Sequence, residues 1–129
     1  MSSDRLRGCR ILVVEDDFLI AMALERVLQD WGAEVVGPAG NLCDAKKLAA
    51  TKELSAALLD IQIRDEEVWP AAHILADRGV PFAFHTAHAN AGSWPPEWRG
   101  RPVLIKPVTP EQLLAAMAEL VGDRQVADE

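Results

Sequence analysis

Ala56-Ala57-Leu58-Leu59-Asp60-Ile61 is the stretch on which the fold turns. An apolar run without alternation marks a strand covered on both faces, as in a parallel sheet flanked by helices. A carboxylate then interrupts it at Asp60. An acid ending a buried strand is costly unless it is paired or metal-bound, so this strand end reads as a chemical site.

Working outward, the same strand-helix alternation recurs. Ile11 to Val14 is a β-branched run, and the helix predicted over 18–31 carries an apolar stripe of Ile20, Leu24, Val27, Leu28 and Trp31 before Gly32 ends it. Ala33 to Gly37 reads as a second strand. Residues 42–52 read as a helix with Asn41 as N-cap and Ala45, Leu48 and Ala49 inward. Proline does not hold a helix-interior position, so the third helix is placed over 70–78 and 62–69 is left as a long loop. Pro81 to Thr86 and Arg101 to Lys106 read as strands four and five. Between them Asn90, Gly92, Pro95, Pro96 and Gly100 oppose a long regular helix, leaving a short or irregular fourth one. Thr109-Pro110-Glu111-Gln112 is a capping box opening a last helix, with Leu113, Leu114, Met117, Leu120 and Val121 inward and a tail fraying from Asp123.

This order predicts an α/β fold, a doubly wound five-stranded parallel sheet. At 129 residues there is room for one core, so residues 1–129 are expected to form one domain, its core about 9–122. The formal charge of −7 makes nucleic acid and anionic membrane surfaces poor partners. No apolar run approaches the roughly 20 residues that span a bilayer. Cys9 and Cys43 lie far apart with no secretory signal before them, and read as reduced, packed thiols of a cytoplasmic protein.

Ligands of doubly wound sheets sit beyond the carboxyl ends of the strands. Here those ends carry Glu15, Asp16 and Asp17, then Asp60, Thr86 and Lys106. Carboxylates gathered there repel by about 4 kcal/mol per pair at about 4 Å and an effective dielectric near 20, which a hard cation relieves. Magnesium takes oxygen donors and bridges to phosphates, Lys106 offers a charge and Thr86 a hydroxyl to phosphoryl oxygens, and Asp60 is a candidate nucleophile. Each has a plainer reading: Asp17 fits the N-cap of the first helix, Thr86 a strand-end residue and Lys106 a surface lysine. His85 and His88 lack a third ligand nearby and read as surface or packing residues. His73 is placed on a helix flank. Trp94 and Trp98 either cover the sheet or form an exposed contact patch, with the patch favoured.

Taken together, Val13-Val14-Glu15-Asp16-Asp17, Leu58-Leu59-Asp60, Thr86-Ala87 and Lys106-Pro107 resemble the receiver domain of bacterial two-component response regulators over essentially the whole chain. The resemblance implies a flavodoxin-like sheet of order 2-1-3-4-5 and a cis Lys106–Pro107 bond. It implies Asp60 as phosphoacceptor, with Thr86 as switch and Lys106 as the charge on the phosphoryl group. Magnesium would be held by Glu15, Asp16, Asp60 and the Gln62 backbone carbonyl. The implied partner is a sensor histidine kinase or a histidine phosphotransfer protein. The chain itself would be a monomer or weak homodimer that turns over no external substrate beyond losing its own phosphoryl group.

The pattern departs from the family at Val103, where an aromatic switch residue is usual, and at Arg64, where a proline is usual. The 81–86 stretch, the curtailed fourth helix and Arg99-Gly100-Arg101-Pro102 resemble the single-domain FAT GUY group, whose partners are HWE-type kinases. Against that group, Ala87, His88 and Ala89 follow the threonine in place of glycine, glycine and an aromatic. The alternatives are a pseudo-receiver that binds partners without phosphorylation, a phosphatase, and a nucleotide-binding module. The phosphatase is disfavoured by Gln62, where a second acid is required, and the nucleotide module by the lack of a glycine-rich phosphate loop.

Overall fold

A computed structural model describes residues 5–88 and 93–127, with side chains through 122. In chain order the elements are β1 (Arg10–Val14), α1 (Phe18–Asp30), β2 (Glu34–Ala39), α2 (Leu42–Thr51), β3 (Ala56–Asp60), β4 (Gln62–Ile63) and β5 (Glu66–Glu67). There follow α3 (Trp69–Asp77), β6 (Phe82–Thr86), a 3-10 turn (Pro96–Trp98), β7 (Val103–Ile105) and α4 (Pro110–Ala127). The main sheet is parallel with order β2-β1-β3-β6-β7, the predicted doubly wound arrangement. Among the described residues no helix is long and apolar enough to cross a membrane.

The helix starts follow from their caps. Asp17 Oδ1 accepts from the backbone N–H of Leu19 and Ile20, so this acid is the N-cap of α1. Asn41 Oδ1 accepts from Asp44 N, and Thr109 and Gln112 exchange both bonds of the capping box at α4.

Pleat parity sorts the core into two layers. Leu12, Val14, Ala57, Leu59, Phe82 and Phe84 face α2 and α3. Ile11, Val13, Ala56, Leu58 and Ala83 face α1 and α4, packing on Leu24, Leu28, Leu113 and Met117.

Several expectations need correction. The 62–69 loop holds a small antiparallel hairpin, with Gln62 opposite Glu67 and Ile63 opposite Glu66. Its two-residue strands are too short for periodicity to reveal. The reversal places Arg64 at φ 57°, the sign a two-residue hairpin turn demands of its first central residue. Helix α3 begins one residue before Pro70, which takes a first-turn position. Strand five is only Val103–Ile105, so Lys106 lies just past its end. The second strand runs on to Ala39 along the sheet edge, through a cis Gly37–Pro38 bond and a register shift against β1. There a Cβ on Gly37 would stand 2.8 Å from Ala39 N. Helix α4 continues to Ala127 past a break at Gly122 (φ 33°, ψ −117°), where fraying from Asp123 was expected; 128 and 129 lie outside the described residues.

Trp94 and Trp98 are not a contact patch, being only 7% and 3% exposed. The described part of the 87–100 stretch contains the 3-10 turn and no α-helix, and residues 89–92 lie outside the described residues. The two indoles do a helix's work, covering Phe82 and Phe84 together with Trp69. Arg101 closes the cluster with its guanidinium 4.2 Å from the Phe82 ring centre. Cys9 is buried, but Cys43 is exposed on α2.

Candidate functional site

The same parity that builds the core builds the site. Asp60 continues the face of Ala56 and Leu58, His85 that of Ala83, and Glu15 that of Ile11 and Val13. In the parallel register Asp60 lies opposite His85, and Val14 opposite Leu59, which brings these three ends level. Lys106, two residues past Leu104, arrives from β7 on the same side. Thr86 has the opposite parity, that of Phe82 and Phe84.

Lys106 Nζ donates to Asp60 Oδ2 at 2.9 Å and lies 3.1 Å from Glu15 Oε1 and 3.4 Å from Glu15 Oε2. Glu15 and Asp60 are almost wholly buried, at 2% and 6% exposure. Asp16 stands outside them, its Oδ2 accepting from Arg64 N at 2.7 Å, while Arg64 Nε donates to Gly40 O. The hairpin after Asp60 is thereby tied to the acidic turn after β1.

One oxygen from each of Glu15, Asp16 and Asp60 falls within 4.8 Å of the others. Three hard oxygen donors on one side of a cleft fit a magnesium-like ion that keeps several waters. Glu15 Oε1 is buried without a hydrogen bond, its charge met by the Lys106 ammonium at 3.1 Å. Gln62 opens β4 two residues past Asp60, and its side chain donates to Arg64 O. The Thr86 hydroxyl accepts from His88 N at 3.3 Å, and no bond from it to the acids is present among the described contacts.

The electrostatics separate the two buried acids. Burial pushes the Asp60 carboxyl up, and the nearby Glu15 charge adds to this; Lys106 only partly offsets it, leaving a pKa of about 6. Burial also acts upward on Glu15, but His85, the Asp17 N–H and Lys106 outweigh it and hold this carboxyl at about 2. The Lys106 ammonium is moved up, because its bond to Asp60 and the two acidic charges outweigh its own desolvation.

Of the two readings of His85, surface or packing, the structure bears out the second. It is 2% exposed, and its Nδ1 lies 3.6 Å from Glu15 Oε1. The available signal was parity: position 85 shares a face with position 83, turned toward the carboxylates. His88 is exposed, as is His73, whose Nε2 lies 3.3 Å from Glu97 on the 3-10 turn.

A doubly wound sheet with an acidic trio and a lysine at its carboxyl edge gathers oxygen donors and an ammonium at the switch point where such sheets bind ligands. No protein-family model matches the chain. SdrG from Sphingomonas melonis is 36% identical, covering 91% of this chain and 98% of that one, with a TM-score of 0.76. A CheY-like response regulator receiver domain from Methanospirillum hungatei is 26% identical over 94% of this chain and 98% of its own, with a TM-score of 0.79. The regulator PhyR from Methylorubrum extorquens is 30% identical over 120 residues, 91% of this chain and 45% of PhyR. The chain thus spans about half the length of this curated relative. The receiver domain of the sensor kinase PA1611 from Pseudomonas aeruginosa shares the fold at 24% identity, covering 89% of this chain and 98% of that one (TM-score 0.76). That structure has a magnesium ion coordinated in its active-site cleft. The chain belongs to the response regulator receiver-domain family of two-component signalling.

Proposed function

We propose that this receiver accepts a phosphoryl group on Asp60 from a histidine kinase or histidine phosphotransfer protein, in a magnesium-dependent reaction in the cytoplasm, and signals by protein contact. The observation that carries this reading is the buried Asp60 carboxylate held 2.9 Å from Lys106 beside two further acids at the sheet edge.

An Asp60 carboxylate oxygen attacks phosphorus in line, the P–N bond to the donor imidazole breaks, and that nitrogen takes the electron pair. Lys106 stays charged throughout and neutralises a phosphoryl oxygen. Magnesium, held by Glu15, Asp16, Asp60 and the Gln62 carbonyl, would supply the remaining positive charge and keep Asp60 ionised; its presence in the PA1611 cleft supports this. Thr86 is the candidate switch hydroxyl. Phosphoryl loss by hydrolysis resets the site without external substrate turnover.

Partner contact has a surface beside the site. Phe18, Leu19 and Met22 on α1 are 73%, 75% and 50% exposed. They adjoin an apolar groove of about 560 Å³ between α1 and the 106–113 segment, which reaches Lys106. A helical donor domain that lays apolar side chains there would place its phosphohistidine over the rim.

Incubation with a small acyl phosphate and magnesium is expected to add one alkali-labile phosphoryl group, absent in Asp60→Asn. Equal labelling of that variant would refute the assignment. Magnesium binding with Asp60 left unmodified by every donor would favour the pseudo-receiver, a reading that Val103 in place of an aromatic supports.

A further inference from the structure

His85 has no role in the phosphoryl reaction as described, yet its placement is hard to account for as packing alone. It lies at the end of the face that carries Asp60 and Glu15, 2% exposed, and neither ring nitrogen is within hydrogen-bond geometry of a partner among the described residues. Leucine would fill that space without stranding two polar atoms. Glu15 Oε1, buried without a hydrogen bond though ion-paired with Lys106 Nζ at 3.1 Å, lies 3.6 Å from Nδ1. That separation exceeds a hydrogen bond but closes with a shift of under an ångström.

Glu15 needs such a partner because its other cation is shared. Lys106 lies closer to Asp60 (2.9 Å) than to either Glu15 oxygen, and a phosphoryl group on Asp60 would engage the same ammonium. Among the described residues Glu15 would then keep the Asp17 N–H, which donates to Oε2 at 3.1 Å, and His85 beside Oε1.

We propose that His85 is a positioning residue: an imidazole whose Nδ1–H holds Glu15 Oε1, fixing this carboxylate for the divalent cation whether or not Lys106 is engaged elsewhere. The inference rests on the proposed reading of the site. It touches neither phosphorus nor the cation, and acts through Glu15 alone, as outer-shell partners of ligating carboxylates do.

The test is calorimetric titration with magnesium chloride on wild type and four variants. His85→Ala and His85→Leu should both weaken magnesium about tenfold, the leucine although it fills the space. His85→Asn, whose amide nitrogen takes the place of Nδ1, should restore binding to within about threefold; His85→Gln, which mimics Nε2, should not. Melting of each variant in chelator reports folding separately. Wild-type affinity in His85→Leu, or an asparagine no better than leucine, overturns the inference while leaving Asp60 chemistry intact. Wild type that neither binds magnesium nor is labelled on Asp60 removes the underlying reading and this inference with it.

Discussion

Asp60→Asn should make the cation-free protein more stable. The folded site raises the Asp60 pKa from 3.8 to about 6, chiefly by burial and secondly by the Glu15 charge. A carboxyl whose folded pKa lies above its unfolded value is bound more tightly to its proton in the folded state. Folding is therefore favoured most below 3.8, and stability is lost as pH rises from 3.8 to about 6. At about 1.4 kcal/mol per pH unit, that interval corresponds to about 3 kcal/mol carried as a penalty at neutral pH. Asparagine removes the charge, keeps a carbonyl for Lys106, and leaves Lys106 paired with Glu15. With about 4 °C per kcal/mol for a domain of this size, the variant should melt about 10 °C above wild type in chelator at pH 8. The gap should shrink to a few degrees near pH 4, where wild-type Asp60 is already protonated when folded. Added magnesium should narrow it at pH 8 by stabilising wild type alone. The assay is a set of thermal melts by circular dichroism between pH 4 and 8, with chelator or magnesium. A variant that melts at or below wild type at pH 8, or an advantage that does not change with pH, would refute the account of Asp60 as an under-compensated buried charge.

Lys106→Met should have the opposite sign, because it removes the only ammonium between two carboxylates: a loss of about 2 kcal/mol at pH 8, smaller at pH 5 where Asp60 takes up a proton, measured by urea denaturation. Arg64→Gly keeps the N–H that Asp16 accepts and relaxes the φ of 57°, so stability should stay within about 1 kcal/mol of wild type. Arg64→Pro deletes that N–H and cannot take a positive φ, so urea melts should show a larger loss and magnesium titration a weaker site. Trp98→Ala should cost about 3–5 kcal/mol in urea denaturation, since the indole is buried against Phe82 and Trp69; a change under about 0.5 kcal/mol would put it back on the surface.

The central strand was legible because burial on both faces leaves a mark that alternation does not, and the acid at its end has few innocent explanations. The caps at Asn41 and Thr109 were legible because each needs only local spacing. What was hidden depends on partners distant in sequence. Two-residue strands such as Gln62–Ile63 carry no period, so their pairing is decided by the turn and by Arg64 reaching Asp16 and Gly40. Pro95 and Pro96 announced the missing helix, but not that Trp94 and Trp98 would replace it. The cue lay earlier, in Phe82 and Phe84, two aromatic rings on one face that some element had to cover. Of the site, every acid and the lysine could be read at strand ends. His85 has no metal-ligand spacing to mark it, and its neighbour is a carboxylate that only the fold brings near.

Charge bookkeeping accounts for the order of events in the proposed reaction. Glu15, Asp16 and Asp60 carry three negative charges when ionised, against one positive charge on Lys106, in a chain whose formal charge is already −7. A dianionic phosphoryl group approaching that rim is repelled, and Asp60, with its carboxyl near pKa 6, spends part of its time protonated at mildly acidic pH. A divalent cation held by Glu15, Asp16 and Asp60 would bring the local charge to zero and would favour the ionised, nucleophilic form of Asp60. The raised Asp60 carboxyl and the depressed Glu15 carboxyl are thus two sides of one arrangement: Glu15, held ionised by His85, the Asp17 N–H and Lys106, would be the fixed charge that attracts the cation, and Asp60 the labile one that the cation would free. Phosphoryl transfer should therefore depend on magnesium most strongly at low pH and least at high pH; labelling with a small acyl phosphate should need more magnesium at pH 5.5 than at pH 8. An unchanged half-saturating magnesium concentration across that range would separate the cation from the ionisation of Asp60 and break this link.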